Sequence, residues 1–324
     1  MSTLTDDTAV ARAGSPRAAS GLVMALASAV AFGMAGALAR PLLEAGWSPG
    51  AVVLVRIALG ALIVVPFGIR SLRGDWSPVR RNARLIVAYG VLAVAGAQFC
   101  YFSAVSYMQV APALLIEYTA PVAVVGWLWL RHGQRPGLIT LAGGAVCALG
   151  LILVLDLFSG AGGLSVAGVL WALAAMVGLA AYFVLSADDR TGLPPLALAA
   201  GGLVVGAAVL GALGLVGLMP VRATDGPVSY AGLEVAWWAP LALLGLVSAA
   251  IAYVTGIAAA RQLGSRLASF VALSEVVCAV AWAWLLLGEL PGAVQLGGGV
   301  LVLVGVVGVK LGEPASLPSE PLPL

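Results

Sequence analysis

Glu117 and Pro121 stand four residues apart inside an otherwise apolar stretch, residues 111–130 (APALLIEYTAPVAVVGWLWL). A carboxyl group there can hold a proton or a cationic group, and an ionisable side chain at membrane depth is a functional-site candidate by default. Proline has no N–H, so the carbonyl four residues back, that of Glu117, loses its helical donor. Acid and freed acceptor thus share one short piece of chain, and such acceptors persist only where they face protein or a wet cavity. A second acid, Glu275, lies in VALSEVVCAVAWAWLLLGE (271–289). In its own half of the chain the nearest arginine before it is Arg266, nine residues earlier and about 13 Å along a helix. An acid so placed is suited to loading and unloading a proton as a cavity opens to either side.

Other polar groups surround these two in the sequence. Arg56 lies about five residues below the rim of its apolar run, at a depth similar to Glu117. It is either a structural ion-pair partner for Glu117 or a group that pairs with substrate. Gln98, Tyr101, Tyr118, Tyr253 and Ser274 could line a pathway. Each taken alone is otherwise an interhelical hydrogen-bonding residue, worth about 0.6–2 kcal/mol. Chemistry of other kinds finds no support. No phosphate-binding loop follows the Gly143–Gly150 run, and no catalytic-triad spacing appears. The single histidine, His132, falls in a loop, so a histidine-ligated metal is not expected, and no cofactor is implied. Cys100, Cys147 and Cys278 sit in apolar runs and read as small buried hydrophobes.

The elements that must position these residues are membrane spans. The 324 residues are 62% hydrophobic and 9% charged, with a mean hydropathy of +1.08. Soluble domains are about 45–50% apolar and about 25% charged. Apolar runs at 21–39, 51–69, 85–105, 111–130, 137–155, 165–187, 196–218, 237–260, 268–287 and 292–310 predict ten spans, each about one hydrocarbon thickness long. Residues 1–20 and 312–324 read as disordered tails. A net charge of +2 carries no nucleic-acid signal. With both termini in the cytoplasm, thirteen of the sixteen basic residues face that side; Arg40 and Arg222 lie outside and Arg56 lies within a span. That asymmetry predicts a multi-pass protein of the cytoplasmic (inner) membrane.

Five spans per half is an odd number, so two similar halves must be inverted relative to one another. The fourth span of each half carries an acid, and the third spans carry Gln98 with Tyr101, and Tyr253. The fold expected is therefore all-α, ten transmembrane helices in two inverted five-helix repeats, residues 21–156 and 165–311, as in secondary carriers.

The stretches AVSYMQVAPALLIEYTAPVAVV, AARQLGSRLASFVALSEVVCAVAWAWLLLGE and RIALGALIVVPF resemble the EamA family of the drug/metabolite transporter superfamily. So do the ending LLLGE (285–289) and the helix after it, and the resemblance spans residues 21–311. The family's second half often reads Leu-Glu-Pro; Ser274, Glu275 and Val276 stand there, with the acid kept and the proline missing. The pairing of a Glu-x-x-x-Pro helix with a later glutamate is similar to threonine/homoserine-type exporters. The resemblance implies export of small amino-acid-like metabolites; with no nucleotide-binding motif in the sequence a gradient is expected to drive it, and Glu275 makes protons the expected coupling partner. A multidrug or nucleoside-type carrier is the alternative within the superfamily. A lipid-acting membrane enzyme would need polar clusters at one interface, and a scaffold or receptor would need large extramembrane domains; neither is evident.

Overall fold

The computed structural model describes residues 16–120, 137–154, 165–186 and 191–312. Pro121, Trp127, Trp129 and His132 lie outside them, as do the far part of the expected fourth span and the C-terminal tail. Six helices among the described residues are long and apolar enough to cross a membrane, and three shorter apolar helices accompany them. A count of ten spans is therefore an expectation that these residues meet only in part.

The helices begin and end where local chemistry dictates. α1 (Pro16–Glu44) starts inside the segment expected to be a disordered tail. α2 (Pro49–Ser71) starts on a proline, and the Ser48 hydroxyl caps it by accepting from Ala51 N–H at 3.3 Å. α3 (Ser77–Arg81) and α4 (Ala83–Ala88) follow a turn. There the Asp75 carboxylate accepts from Ser77 N–H and Oγ, which holds its pKa below the ordinary value. α4 runs without a break through a π-helical stretch, π1 (Tyr89–Gly96), into α5 (Ala97–Val105). α6 (Val110–Glu117) ends on the acid itself. α7 (Leu138–Val154), α8 (Val166–Ser186) and α9 (Pro195–Leu215) follow.

Next comes a hairpin that the sequence pattern does not announce. β1 (Val228–Tyr230) pairs antiparallel with β2 (Leu233–Val235), Tyr230 opposite Leu233. Its two-residue turn is Ala231–Gly232, both at positive φ (48° and 86°). The Tyr230 hydroxyl pins it to α1 by donating to the Leu38 carbonyl at 2.6 Å. α10 (Trp238–Leu243) leads into a second π-helical stretch, π2 (Leu244–Ile251), then α11 (Ala252–Ala272). α12 (Ser274–Leu287) is stopped by Gly288 in the left-handed conformation at φ 71°. α13 (Ala293–Gly312) completes the described chain.

The chain divides into two compact units. The larger holds residues up to Glu117 and Ser165–Leu290. In it α1 packs on α11 and α12, while α8 packs on α5 and α6. In the same way α2 packs on π2, α9 packs on π1, and α2 meets α9. The smaller unit pairs α7 with α13. Glycines let those two backbones touch. A Cβ on Gly150 would fall 2.6 Å from both the Gly298 carbonyl oxygen and the Val302 nitrogen, and one on Gly143 would fall 2.8 Å from the Gly305 carbonyl oxygen. These glycines predict contact between the fifth and tenth expected spans, and the contact is there, although Gly297 faces open space. Trp47 is buried against Trp237 with its Nε1–H on the Thr224 carbonyl.

Candidate functional site

Two π-helical stretches build the centre of the larger unit. A π turn widens the helix and shifts its hydrogen-bond register, so single carbonyls are released, and such turns recur at functional sites. Ala93 is the fifth residue of π1 and Ser248 the fifth of π2. The Ala93 carbonyl accepts from the Tyr253 hydroxyl at 3.3 Å. The Ser248 carbonyl accepts from an Arg56 guanidinium nitrogen. Gln98 and Tyr253 each stand two residues past the end of their π stretch. The Gln98 side chain is hydrogen-bonded to Tyr253, and its Oε1 accepts from the other terminal nitrogen of Arg56.

Arg56 is fully buried on α2. Its guanidinium carbon lies 5.2 Å from the centroid of the Phe102 ring, a cation–π arrangement. The carboxyl groups of Glu117 and Glu275 lie within electrostatic range of it. Six of the residues singled out from sequence alone (Arg56, Gln98, Tyr101, Glu117, Tyr253 and Glu275) thus fall in one unit.

Both acids sit at interruptions of their helices. Glu117 is the last residue of α6, is 5% exposed, and is followed by a turn at Tyr118 and Thr119. The apolar pattern places Glu275 about seven residues into a continuous span. The structure puts it in the first turn of α12, behind a one-residue interruption at Leu273 closed by Val276 N–H on the Leu273 carbonyl at 3.2 Å. The break forms without the family's proline, since Leu273 keeps φ −59° and ψ −23° and only tightens the turn. The expected 261–267 loop is absent as well: α11 is helical through it, and Arg261 reaches the Leu193 carbonyl from inside α11. Gly33 brings α1 against this break, since a Cβ there would lie 3.0 Å from the Glu275 carbonyl oxygen. Gly36 does the same beside Tyr101, whose hydroxyl occupies the space a Cβ would need.

The remaining expectations fare differently. Similar depth points to an Arg56–Glu117 ion pair, but the Arg56 guanidinium is hydrogen-bonded to Gln98 and to the Ser248 carbonyl instead. Glu275 has no cationic partner in its own half of the sequence, yet it interacts with other groups and feels Arg56 from the other half. Ser274 turns back on its own chain, its hydroxyl donating to the Val271 carbonyl at 2.6 Å. Tyr118 is buried and opens the smaller unit. Pro121 is not among the described residues.

Sequence reading misses an aromatic cluster beside this centre. Phe32, Tyr89 and Tyr182 surround Tyr253 at centroid distances of 5.0, 6.5 and 6.1 Å. These rings come from four separated spans, and no spacing within one helix links them. The signal available is only that tyrosines are rare in the chain, seven in all.

An ionic group closes the end of this unit that carries Arg40. Arg40 Nε lies 2.9 Å from Glu44 and 3.3 Å from Glu289, and Arg40 also donates to the Met108 carbonyl at 3.1 Å. Burial pushes the Glu289 carboxyl above its ordinary pKa; Arg40 pulls it down, and Glu44 pushes it up. A folded-state value above the unfolded one means the native protein binds the proton more tightly, so stability falls as pH rises through that window. The wild type is therefore expected to gain melting temperature on acidification from neutral toward the ordinary glutamate range, and Glu289→Gln to gain less. The pair is partly exposed, so the difference should stay below about 1 kcal/mol. An equal or larger gain in the variant by detergent-solubilised thermal denaturation would contradict the assignment.

Comparison with known proteins agrees with this architecture. The model of the EamA-like transporter family matches twice, over residues 19–156 and 166–311. An uncharacterized transporter of Archaeoglobus fulgidus is 27% identical over 281 residues, covering 86% of this chain and 92% of that protein. The uncharacterized inner membrane transporter YicL of Salmonella typhimurium is 24% identical over 139 residues, 41% of this chain and 46% of that one. A protein of known crystal structure shares the fold at a TM-score of 0.63 with 20% identity, over 90% of this chain and 97% of that one. The chain belongs to the EamA-like transporter family. It is a multi-pass membrane transporter.

Proposed function

We propose that this transporter is a secondary carrier that moves a small organic metabolite, amino-acid-like in size, out of the cell by alternating access. Substrate binds around Glu117, Glu275, Arg56, Gln98, Tyr101 and Tyr253, and protons supply the driving gradient. The observation that carries this reading is the convergence of acids from the two matched spans on one buried arginine, itself held by the Ser248 carbonyl of π2 and by the Gln98 side chain just past π1. The helix pairings and the doubled family match support two inverted five-helix repeats, 21–156 and 165–311. In such a plan the spans that carry the site are the ones that move. Counterflow of labelled amino acids in proteoliposomes, with and without an imposed proton gradient, tests the proposal. Transport indifferent to the gradient would remove the proton from it.

Orientation has its own test. The basic-residue asymmetry places both termini and the 70–84 segment in the cytoplasm of an inner-membrane protein. Arg80 and Asp225 are both exposed, on opposite sides in this topology. In a background without the three native cysteines, Arg80→Cys should resist an impermeant thiol reagent in intact cells, and Asp225→Cys should react. The reverse pattern inverts the topology.

A further inference from the structure

We propose that the transported ligand carries a carboxylate that docks on Arg56; this rests on the reading of the central cluster as the transport site. The argument starts from what the guanidinium still needs. Its two terminal nitrogens donate to Gln98 Oε1 and to the Ser248 carbonyl, both neutral acceptors. Its Nε is buried and has no hydrogen-bond partner. A fully buried arginine held by neutral groups keeps most of its desolvation cost. A bidentate carboxylate is the acceptor whose geometry matches the Nε edge of the fork.

The protein's own acids do not take that place. Glu117 and Glu275 act on Arg56 through space, and the Arg56 Nε has no hydrogen-bond partner. The same two acids choose among anions. A phosphate dianion would meet two carboxylates within range of the one cation, whereas a monocarboxylate with a neutral or cationic remainder does not add a second repelled charge. The Phe102 ring flanks the guanidinium and limits its tilt, so the free edge stays directed. Because Gln98 follows π1 and Ser248 lies in π2, Arg56 is held from both halves of the chain. A ligand seated on it would therefore sense their relative movement.

The probes are matched pairs: amino acids and hydroxy acids beside their carboxamides and their decarboxylated counterparts. Purified wild-type protein in proteoliposomes is assayed for counterflow of each, with competition to rank affinity. At least one acid should move, and its amide should compete about tenfold or more weakly. Arg56→Lys keeps the charge but loses the Nε donor, and should cut the preference for the acid over its amide several-fold. Arg56→Gln should erase the preference; if that variant fails to fold, the wild-type pairs and Arg56→Lys decide. Counterflow in which amides or amines match the acids leaves the transport site standing and overturns the docking of a carboxylate on Arg56. Absence of counterflow for every probe, with protein that is folded by size-exclusion chromatography, overturns both.

Discussion

Glu117→Gln is expected to abolish transport, a loss on the order of a hundredfold or more in initial rate, while Glu117→Asp keeps a measurable fraction. The substitution preserves volume and removes the charge and the exchangeable proton together. Truncating one member of a buried charged cluster costs several kcal/mol, which is the source of the magnitude. The residue is nearly fully buried, closes α6, and precedes a turn, so its carboxyl and its own carbonyl lie at one helix end. Aspartate keeps the acid but withdraws it by one methylene, which lengthens every contact it makes. A purely structural role makes a different forecast. Glu117→Gln and Arg56→Gln would then each lower the amount of folded protein, and the double variant would restore both abundance and transport. Normal transport in that double variant would remove Glu117 from the site.

The parts of this molecule that are legible in the sequence are those where a residue type is too costly to stand by chance. A carboxylate in an apolar run is expensive, so Glu117 and Glu275 stand out, and Arg56 does so for the same reason. Glycines at helical spacing announce the α7–α13 contact because close approach of two backbones demands them. What is not legible has weaker physical signals. The π-helical stretches carry ordinary alanine, valine and leucine, and nothing in YGVLAVAG or LGLVSAAI separates them from α-helix. Yet their released carbonyls hold Arg56 and Tyr253. The hairpin turns on Ala-Gly where Asn-Gly would have announced it, so its strands read as loop. The break before Glu275 lacks the proline that would mark it; a tightened turn at Leu273 achieves it with ordinary dihedral angles. The Phe32, Tyr89, Tyr182 and Tyr253 cluster depends on helices brought together by tertiary packing, which no single helical period encodes.

Glu275→Gln is expected to lose accumulation against a gradient yet keep exchange of substrate at equal concentrations. The reasoning is a count of charges. Arg56, Glu117 and Glu275 act on one another, and with both acids ionised the group holds one negative charge in excess. A single proton restores neutrality in the empty site. Ligand and proton act on the same three charges, so binding of one changes the affinity for the other, which is the elementary requirement for coupling them. Glu275 is placed to carry the proton because it stands in the first turn of a helix that restarts at Ser274, next to the close approach of α1 at Gly33. Movement of α1 against α12 alters its surroundings. Glutamine fixes the site in a neutral form. Exchange, which needs no net proton movement, survives; uphill transport, which needs the proton to be released on one side, does not. Proteoliposomes with an imposed proton gradient separate the two activities. Loss of both in a folded variant would make Glu275 a substrate ligand, and retained accumulation would remove it from coupling altogether.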